Sequence, residues 1–490
     1  MNNQKEINKA SLFSGFGWLM FETIGSKGIS TLVFLLLARL LSPDAFGVVA
    51  LGSVFILFFS IIADLGFSVV IIQRKEIENQ HLNAAFWGNL GIVTLLSGII
   101  FLLAPFIGEF YGEPMLSPLI RLLLIGLIIQ STSRVHEALL HKHLQFKALA
   151  KRRVIALFIS GMAGIIAALN GGGLWSLVIQ SLSFIGIEAL WIWYLSPFRP
   201  SWQFSFPAFK ELISFGYKII LKKMLHELRM EELIIGAMLN VVAVGYYSIA
   251  KKIFKVFTEV LNTTVSKLSF PVFSKLKEDQ RKNHKLLQDF VRYSSYYLLP
   301  AFLGLLFIIP AFVSLLIGDE WKESLPIIQC FLLSGPFLIH YTLFDNYVLS
   351  QGAYNHSLYG KAINTAIILS GVALLMYAEY PLYSTGYVLA LGNLTSILYL
   401  FFAARALLPL SVSQYLTSLF PGIICSLLIL GLQYKSDALF QQIILPSLQQ
   451  FLELGLALMI YGGAILLLLR IKNPEILFGL IRKLKGFIKA

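Results

Sequence analysis

The chain has 490 residues, of which 57% are hydrophobic and only 13% charged, and its mean hydropathy is +0.76. A soluble domain is roughly 45–50% apolar with about twice this charge, so the composition describes a polytopic membrane protein and excludes soluble enzymes, DNA-binding proteins and disordered regulators. The net charge of +13 is then a matter of topology, because cations collect in cytoplasmic loops, and it implies no nucleic-acid partner.

The amino terminus, MNNQKEINKASLFSG, is polar and basic. The apolar segment behind it is too long for a signal peptide and lacks a small-residue cleavage site, so it is expected to stay as the first span. A hydrocarbon core about 30 Å thick needs about 20 apolar residues per helix, which divides the chain into about fourteen predicted spans. In chain order they are 13–41, 46–72, 84–110, 116–140, 149–169, 174–195, 212–239, 244–273, 287–317, 325–350, 358–377, 384–407, 415–432 and 448–469. The seventh is the weakest, because Lys218, Lys222, Lys223, His226, Glu227, Arg229, Glu231 and Glu232 fall within it. Cys330 and Cys425 lie far apart in apolar stretches, which offers neither a disulfide framework nor a metal site.

Loop charge tests this division. Lys5 and Lys9, Arg74 and Lys75, Lys142 to Arg153, Arg199 and Lys210, Lys275 to Lys285, Lys361 and Arg405 all fall on one side. The opposite loops, such as GEFYGEP, NGGG and YAEYP, hold few cations. The bias fits an even number of spans with both termini cytoplasmic. Dropping the seventh span would move every later loop to the other side and reverse it. In the tail, Leu477, Leu480, Ile481, Leu484, Phe487 and Ile488 recur at helical spacing among Arg482, Lys483, Lys485 and Lys489. This pattern predicts a basic amphipathic helix lying on anionic lipid, first of all as a topological anchor.

The chain also repeats itself. Leu41–Ala50 reads LSPDAFGVVA and Leu239–Ser248 reads LNVVAVGYYS, with Leu, Ala and Gly in register. Ala104-Pro105 before YGEP resembles Ile309-Pro310 before IGDEW at a nearly equal offset. The expected architecture is all-α, with six-helix lobes at 1–200 and 201–410 as parallel repeats, an extra helix pair at 411–472 and the tail at 473–490.

Charges at membrane depth cost at least about 2.5–3.5 kcal/mol each on insertion scales, so they are expected to face a bundle interior or a wet cavity. Glu22, Lys27, Asp64, Arg121, Arg134, Glu188, Asp345 and Glu453 are such residues. The densest group lies in the seventh and eighth spans. At helical spacing Lys218, Lys222 and Arg229 share one face, and Lys223, Glu227 and Glu231 nearly the opposite one. Lys251, Lys252 and Lys255 add charge, with Glu259 one turn beyond. Each cation alone is as readily a snorkelling or ion-paired side chain. Together they outnumber the nearby acids, which predicts a cationic cavity suited to an anionic substrate such as a phosphorylated lipid head. Asp64, before Leu65-Gly66, suits helix-end capping as well as ion coupling, and Asp345 and Glu453 read as structural.

No sizeable outer loop carries acids or histidines for catalysis, and no glycine-rich phosphate loop is present; Asn170-Gly171-Gly172-Gly173 reads as a tight turn. Neither an enzymatic activity nor a cofactor is expected, and the Asn-x-Thr triplets at Asn262 and Asn393 are chance matches inside spans. Transport is expected to draw on an ion gradient, the membrane potential or the substrate gradient. A multidrug or cation antiporter and an integral-membrane glycosyltransferase or ligase are the competing classes. Cationic charge disfavours the first and the missing catalytic loop the second.

Ala38 to Gly47, ARLLSPDAFG, resembles the ARLLSPEDFG signature of bacterial polysaccharide exporters of the oligosaccharide-lipid flippase type, in the multidrug/oligosaccharidyl-lipid/polysaccharide superfamily. Arg39, Pro43 and Gly47 carry that match; Asp64-Leu65-Gly66, Gln73-Arg74-Lys75, Tyr111-Gly112-Glu113-Pro114 and Gly173-Leu174-Trp175-Ser176-Leu177 extend it. Gly245-Tyr246-Tyr247-Ser248-Ile249-Ala250 is similar to the family's LGYYSIA segment. The likeness is dense through the first lobe and most similar to the colanic acid and teichuronic acid exporters. It implies two six-helix lobes around a central cavity and alternating access that carries an undecaprenyl-diphosphate-linked oligosaccharide out of the bacterial cytoplasm, for lipopolysaccharide or exopolysaccharide assembly. Implied partners are that substrate, membrane lipids, and the polymerase and other assembly proteins. Where relatives have Asn-x-Asp, this chain has Arg229-Met230-Glu231.

Overall fold

A computed structural model describes residues 9–64, 66–74, 77–213, 229–403, 413–420 and 422–424, together with 224, 227, 411 and 459. The predicted fourteenth span apart from residue 459, half of the thirteenth, nearly half of the seventh (214–223, 225, 226 and 228) and the basic tail lie outside these residues.

All the described secondary structure is helical. The first unit holds α1 (Lys9–Leu40), α2 (Pro43–Asp64), α3 (Phe67–Gln73), α4 (Asn79–Phe110), α5 (Leu116–Lys142), α6 (Phe146–Leu169), α7 (Leu174–Leu195), α8 (Met230–Met238) and the start of α9 (Val241–Lys275). The second holds the rest of α9, then α10 (Gln280–Phe312), α11 (Leu325–Ser350), α12 (Tyr354–Tyr377) and α13 (Thr385–Ala403). Leu316–Glu320 belongs to the first unit. Among the described residues nine helices are long and apolar enough to cross a membrane, or ten if the bent pair Gln280–Leu306 and Ile308–Ile317 is one span. Val241–Lys275, the predicted eighth span, is helical throughout but is not among the nine; Lys251, Lys252, Lys255, Glu259 and Lys267 stud it with charge.

Local chemistry sets the breaks. Pro43 opens α2, where its missing N–H costs nothing, and the Ser42 hydroxyl accepts from the Ala45 N–H at 3.4 Å. The predicted second span, 46–72, is in fact two helices. Gly66 takes a left-handed φ of 72°, which a side chain disfavours, and α3 starts anew behind it. The Asn170–Gly173 turn joins α6 to α7 as expected, with Gly171 and Gly173 both at positive φ.

In the first unit α5 packs on α2, α3, α4 and α7, while α6 packs on α1 and α7. Close approach depends on small residues. A Cβ at Gly161 of α6 would strike Val33 of α1, one at Gly164 would lie 2.8 Å from Gln180 Cβ of α7, and one at Gly126 of α5 would lie 2.9 Å from Leu182 of α7. The opposite faces carry exposed apolar side chains, Leu102, Phe106 and Phe110 on α4 and Leu190 on α7, as lipid contact requires. Residues 196–213 are stapled to the start of α4. Asn83 and Ser201 exchange two hydrogen bonds of 2.7 and 3.0 Å, the Trp87 indole donates to the Ser201 carbonyl at 2.7 Å, and Trp87 stacks on Trp202 at 4.4 Å.

The second unit is built around α11, which packs on α10, α12 and α13. His340 in its middle is 1% exposed and meets the Ser294 hydroxyl of α10 at 3.1 Å and the Tyr415 hydroxyl at 3.1 Å. One buried imidazole thus ties residues 413–420 to two helices. Asn393, buried in α13, accepts from Asn364 of α12 at 3.1 Å.

Candidate functional site

The two repeated segments meet. A Cβ at Gly47 of α2 would fall on the Val241 carbonyl oxygen, and a Cβ at Gly245 of α9 on the Pro43 carbonyl oxygen. Val241 holds in its repeat the place that Pro43 holds in the first, so the contact is reciprocal, as a local two-fold axis demands. The caps correspond too. Asn240, in the place of Ser42, accepts from the Ala243 N–H at 2.8 Å, and Ala243 stands in the place of Ala45. Pro43, Gly47 and Gly245 are buried, whereas Arg39 is exposed at the end of α1. Tyr111, just past α4, donates to the Leu233 carbonyl of α8 at 3.3 Å, and burial raises its phenol above the usual range.

Behind this crossing lies an acidic group. Tyr247 is 0% exposed, and the carboxylates of Glu231 and Glu232 stand near its hydroxyl. Glu232, also at 0%, takes an ion pair from Arg229, Nη1 to Oε1, at 3.3 Å. Arg229 precedes α8 in a non-helical conformation (φ −100°, ψ 49°), so the helical spacing that put it on a stripe with Lys218 and Lys222 does not run through it. Its charge is committed to Glu232, a partner visible three residues on in the sequence but absent from the expected pairing. Lys218 and Lys222 lie outside the described residues. On α9, Lys252 and Lys255 are exposed and Lys251 half-buried; Lys27 on α1 is half-buried as well.

The remaining acids are placed as follows. Asp64 closes α2 and accepts from the Ser68 hydroxyl of α3 at 3.0 Å. Glu22 of α1 lies 4.0 Å from Arg153 of α6. Unforeseen is a charged triad at the end of the same bundle: Nη2 of Arg152 on α6 lies 3.0 Å from Glu137 of α5 and 3.2 Å from Glu188 of α7. The sequence marked Glu188 as a membrane-depth charge without indicating its neighbours. The Arg134 guanidinium of α5 donates to Ser60 of α2 and to Gln130, both at 3.2 Å. No group of three or more metal-ligating side chains occurs among the described residues.

The chain matches the polysaccharide biosynthesis protein family over residues 36–326, more than half its length. It is 25% identical over 330 residues to the lipopolysaccharide biosynthesis protein WzxC of Escherichia coli K12, covering 66% of each chain, just under two thirds of that relative. The succinoglycan biosynthesis transport protein ExoT of Rhizobium meliloti is 23% identical over 71% of each chain. The teichuronic acid biosynthesis protein TuaB of Bacillus subtilis is 22% identical over 83% of this chain and 85% of its own. In fold, the chain is similar to the lipid II flippase MurJ in an inward closed conformation, with a TM-score of 0.75 and 13% identity over 92% of this chain and 99% of that one. An inward-facing MATE multidrug transporter of the MOP superfamily follows at 0.57 and 16% identity, over 78% of this chain and 94% of that one. The fold is therefore MOP-like, and the family and its neighbours are transporters and flippases rather than enzymes. With both glycine-bearing segments inside the matched region, the chain belongs to the polysaccharide biosynthesis protein family.

Proposed function

We propose that the protein flips an undecaprenyl-diphosphate-linked oligosaccharide from the cytoplasmic to the outer leaflet of the bacterial cytoplasmic membrane, supplying repeat units for surface polysaccharide. The observation that carries this reading is the family match through residues 36–326, together with relatives named for polysaccharide biosynthesis and its transport. Two six-helix lobes, 1–200 and 201–410, work as parallel repeats, with 411–472 as an added pair, 473–490 as a lipid-facing tail and both termini cytoplasmic. The reciprocal crossing of 41–47 and 239–245 supports the repeat. With cytoplasmic termini that crossing lies on the outer side, so its closure fits an inward state and its separation is the step that opens outward.

Lys27, Lys218, Lys222, Arg229, Lys251, Lys252 and Lys255 hold the diphosphate in this reading, while Glu22, Asp64 and Glu231 serve structure or coupling. Lys252 and Lys255, both exposed on α9, are the better residues to test, because removing Arg229 would also break its ion pair with Glu232. Deleting the gene is expected to accumulate one lipid-linked oligosaccharide in the inner leaflet and abolish surface polymer. Complementation with a Lys252→Ala, Lys255→Ala double variant is expected to restore membrane insertion but not the polymer. Unchanged surface polymer in the deletion strain would refute the flippase reading. Dye efflux from vesicles carrying the protein would favour the antiporter instead.

A further inference from the structure

We propose that Glu188, Glu137 and Arg152 form a proton-binding site inside the first unit, with the proton carried on Glu188. Arg152 is 2% exposed, and only one of its three nitrogens is engaged: Nη2 donates to Glu137 Oε1 at 3.0 Å and lies 3.2 Å from Glu188 Oε1. Nε and Nη1 are buried without a partner, and Glu188 Oε1 is buried without a hydrogen bond. One guanidinium, which does not lose its proton in proteins, thus faces two carboxylates and leaves one negative charge over in a low-dielectric interior. A proton on one carboxylate removes it, as in other carboxylate pairs forced together.

The geometry assigns that proton to Glu188. Its side chain is 19% exposed against 31% for Glu137, and Glu137 holds the well-directed bond to Arg152. The other charges leave Glu188 as the carrier: the positive charge of Arg134, and of His141 when protonated, falls on Glu137 rather than on Glu188, where Arg153 and Glu22 oppose each other. Arg153 of α6 is half exposed and turned to Glu22 of α1 at 4.0 Å. Arg134 of α5 is held by Ser60 and Gln130, His136 of α5 by Ser196 at 3.0 Å, and Asp64 of α2 by Ser68. The three residues sit five to seven positions from the ends of α5, α6 and α7. At 1.5 Å rise per residue that is about 8–10 Å from those helix ends. Water admitted at that end would let Glu188 ionise, compete for Arg152 and draw α7 onto α6; a proton there releases it. Occupancy therefore biases helix packing within the unit, and if the protein is the flippase proposed above, the proton is its coupling ion.

Infrared difference spectroscopy of the purified full-length protein in lipid nanodiscs, titrated with acid and base, reads the site without any transport substrate. The wild type is expected to show a protonated-carboxyl stretch at neutral pH. Glu188→Gln removes that band. Glu137→Gln also removes it at neutral pH, because Arg152 then has one carboxylate to balance, and moves the titration acidward by about 1–3 pH units. Near-ultraviolet circular dichroism confirms that each variant is folded, and Glu188→Asp restores the band if a variant is not. A wild-type spectrum without the band at neutral pH, or a band that survives Glu188→Gln, overturns the proposal while leaving the flippase reading intact. Normal surface polymer after gene deletion would sink that reading and leave the proton site standing.

Discussion

The glycine crossing makes a prediction whose sign can be worked out. In Gly47→Ala the new methyl meets the Val241 carbonyl, and in Gly245→Ala the Pro43 carbonyl; both obstacles are backbone at a helix start and cannot rotate aside. Overpacking of this kind costs about 1–3 kcal/mol. Against it stands the gain of replacing glycine by alanine within a helix, about 0.8–1.0 kcal/mol. Each single variant should therefore lose about 1–2 kcal/mol net, where the clash sits in the upper part of its range because neither carbonyl yields. Gly98→Ala supplies the control. Nothing lies within 4 Å of the Cβ it would add, so only the helix gain remains and the variant should be neutral or stabilised. The double variant is more informative. Two independent clashes would add, but a single crossing needs to separate only once, so the pair should cost little more than either alone, with a coupling of about 0.5–3 kcal/mol. Thermal unfolding of the purified protein in nanodiscs, followed by near-ultraviolet circular dichroism, measures all four. Gly47→Ala as stable as Gly98→Ala would refute the reciprocal contact, and strict additivity would refute its sharing.

Arg152→Met should cost about 3–5 kcal/mol by stranding the ionised Glu137, and adding Glu137→Gln should recover most of it in the same melt. Asn83→Ala removes both hydrogen bonds to Ser201, a loss of about 1–2 kcal/mol on the usual value per bond. It should also unstack Trp202 from Trp87, visible as a change in tryptophan fluorescence; an unchanged spectrum would mean that the staple lies elsewhere. Arg229→Ala should abolish surface polymer whether Arg229 binds substrate or only neutralises Glu232, and adding Glu232→Gln separates the two: restored polymer marks a structural pair, persistent loss a substrate contact.

The sequence announced its spans well where apolar length alone decides them, as in α5, α7 and α11. It failed where a single backbone conformation intervenes. The run Phe46–Ile72 carries no charge apart from Asp64, and only the left-handed Gly66 turns it into two helices. The same limit applies to Arg229. A helical wheel places it beside Lys222 only if every residue between is helical, and Arg229 itself is not. The charged triad was hidden for another reason. Arg152 and Glu137 are 15 residues apart on different helices, so no spacing rule joins them, and Glu188 is reached only through the packing of α7 on α6.

The crossing of the two similar segments shows why a repeat of this kind would leave so faint a signal. The two segments share few identities because the crossing constrains few atoms. Position 47 and its counterpart 245 must be glycine, since each backbone rests on the other's carbonyl. Positions 42 and 240 need only a short side-chain acceptor for the N–H three residues on, and serine and asparagine both supply one. Positions 43 and 241 contribute a carbonyl, which proline and valine offer equally. Phe46 and Val244 need only be apolar, and both are buried. Identity therefore survives where geometry leaves a single choice and fades to chemical likeness elsewhere, so the glycine register, rather than percentage identity, is what relates the two segments.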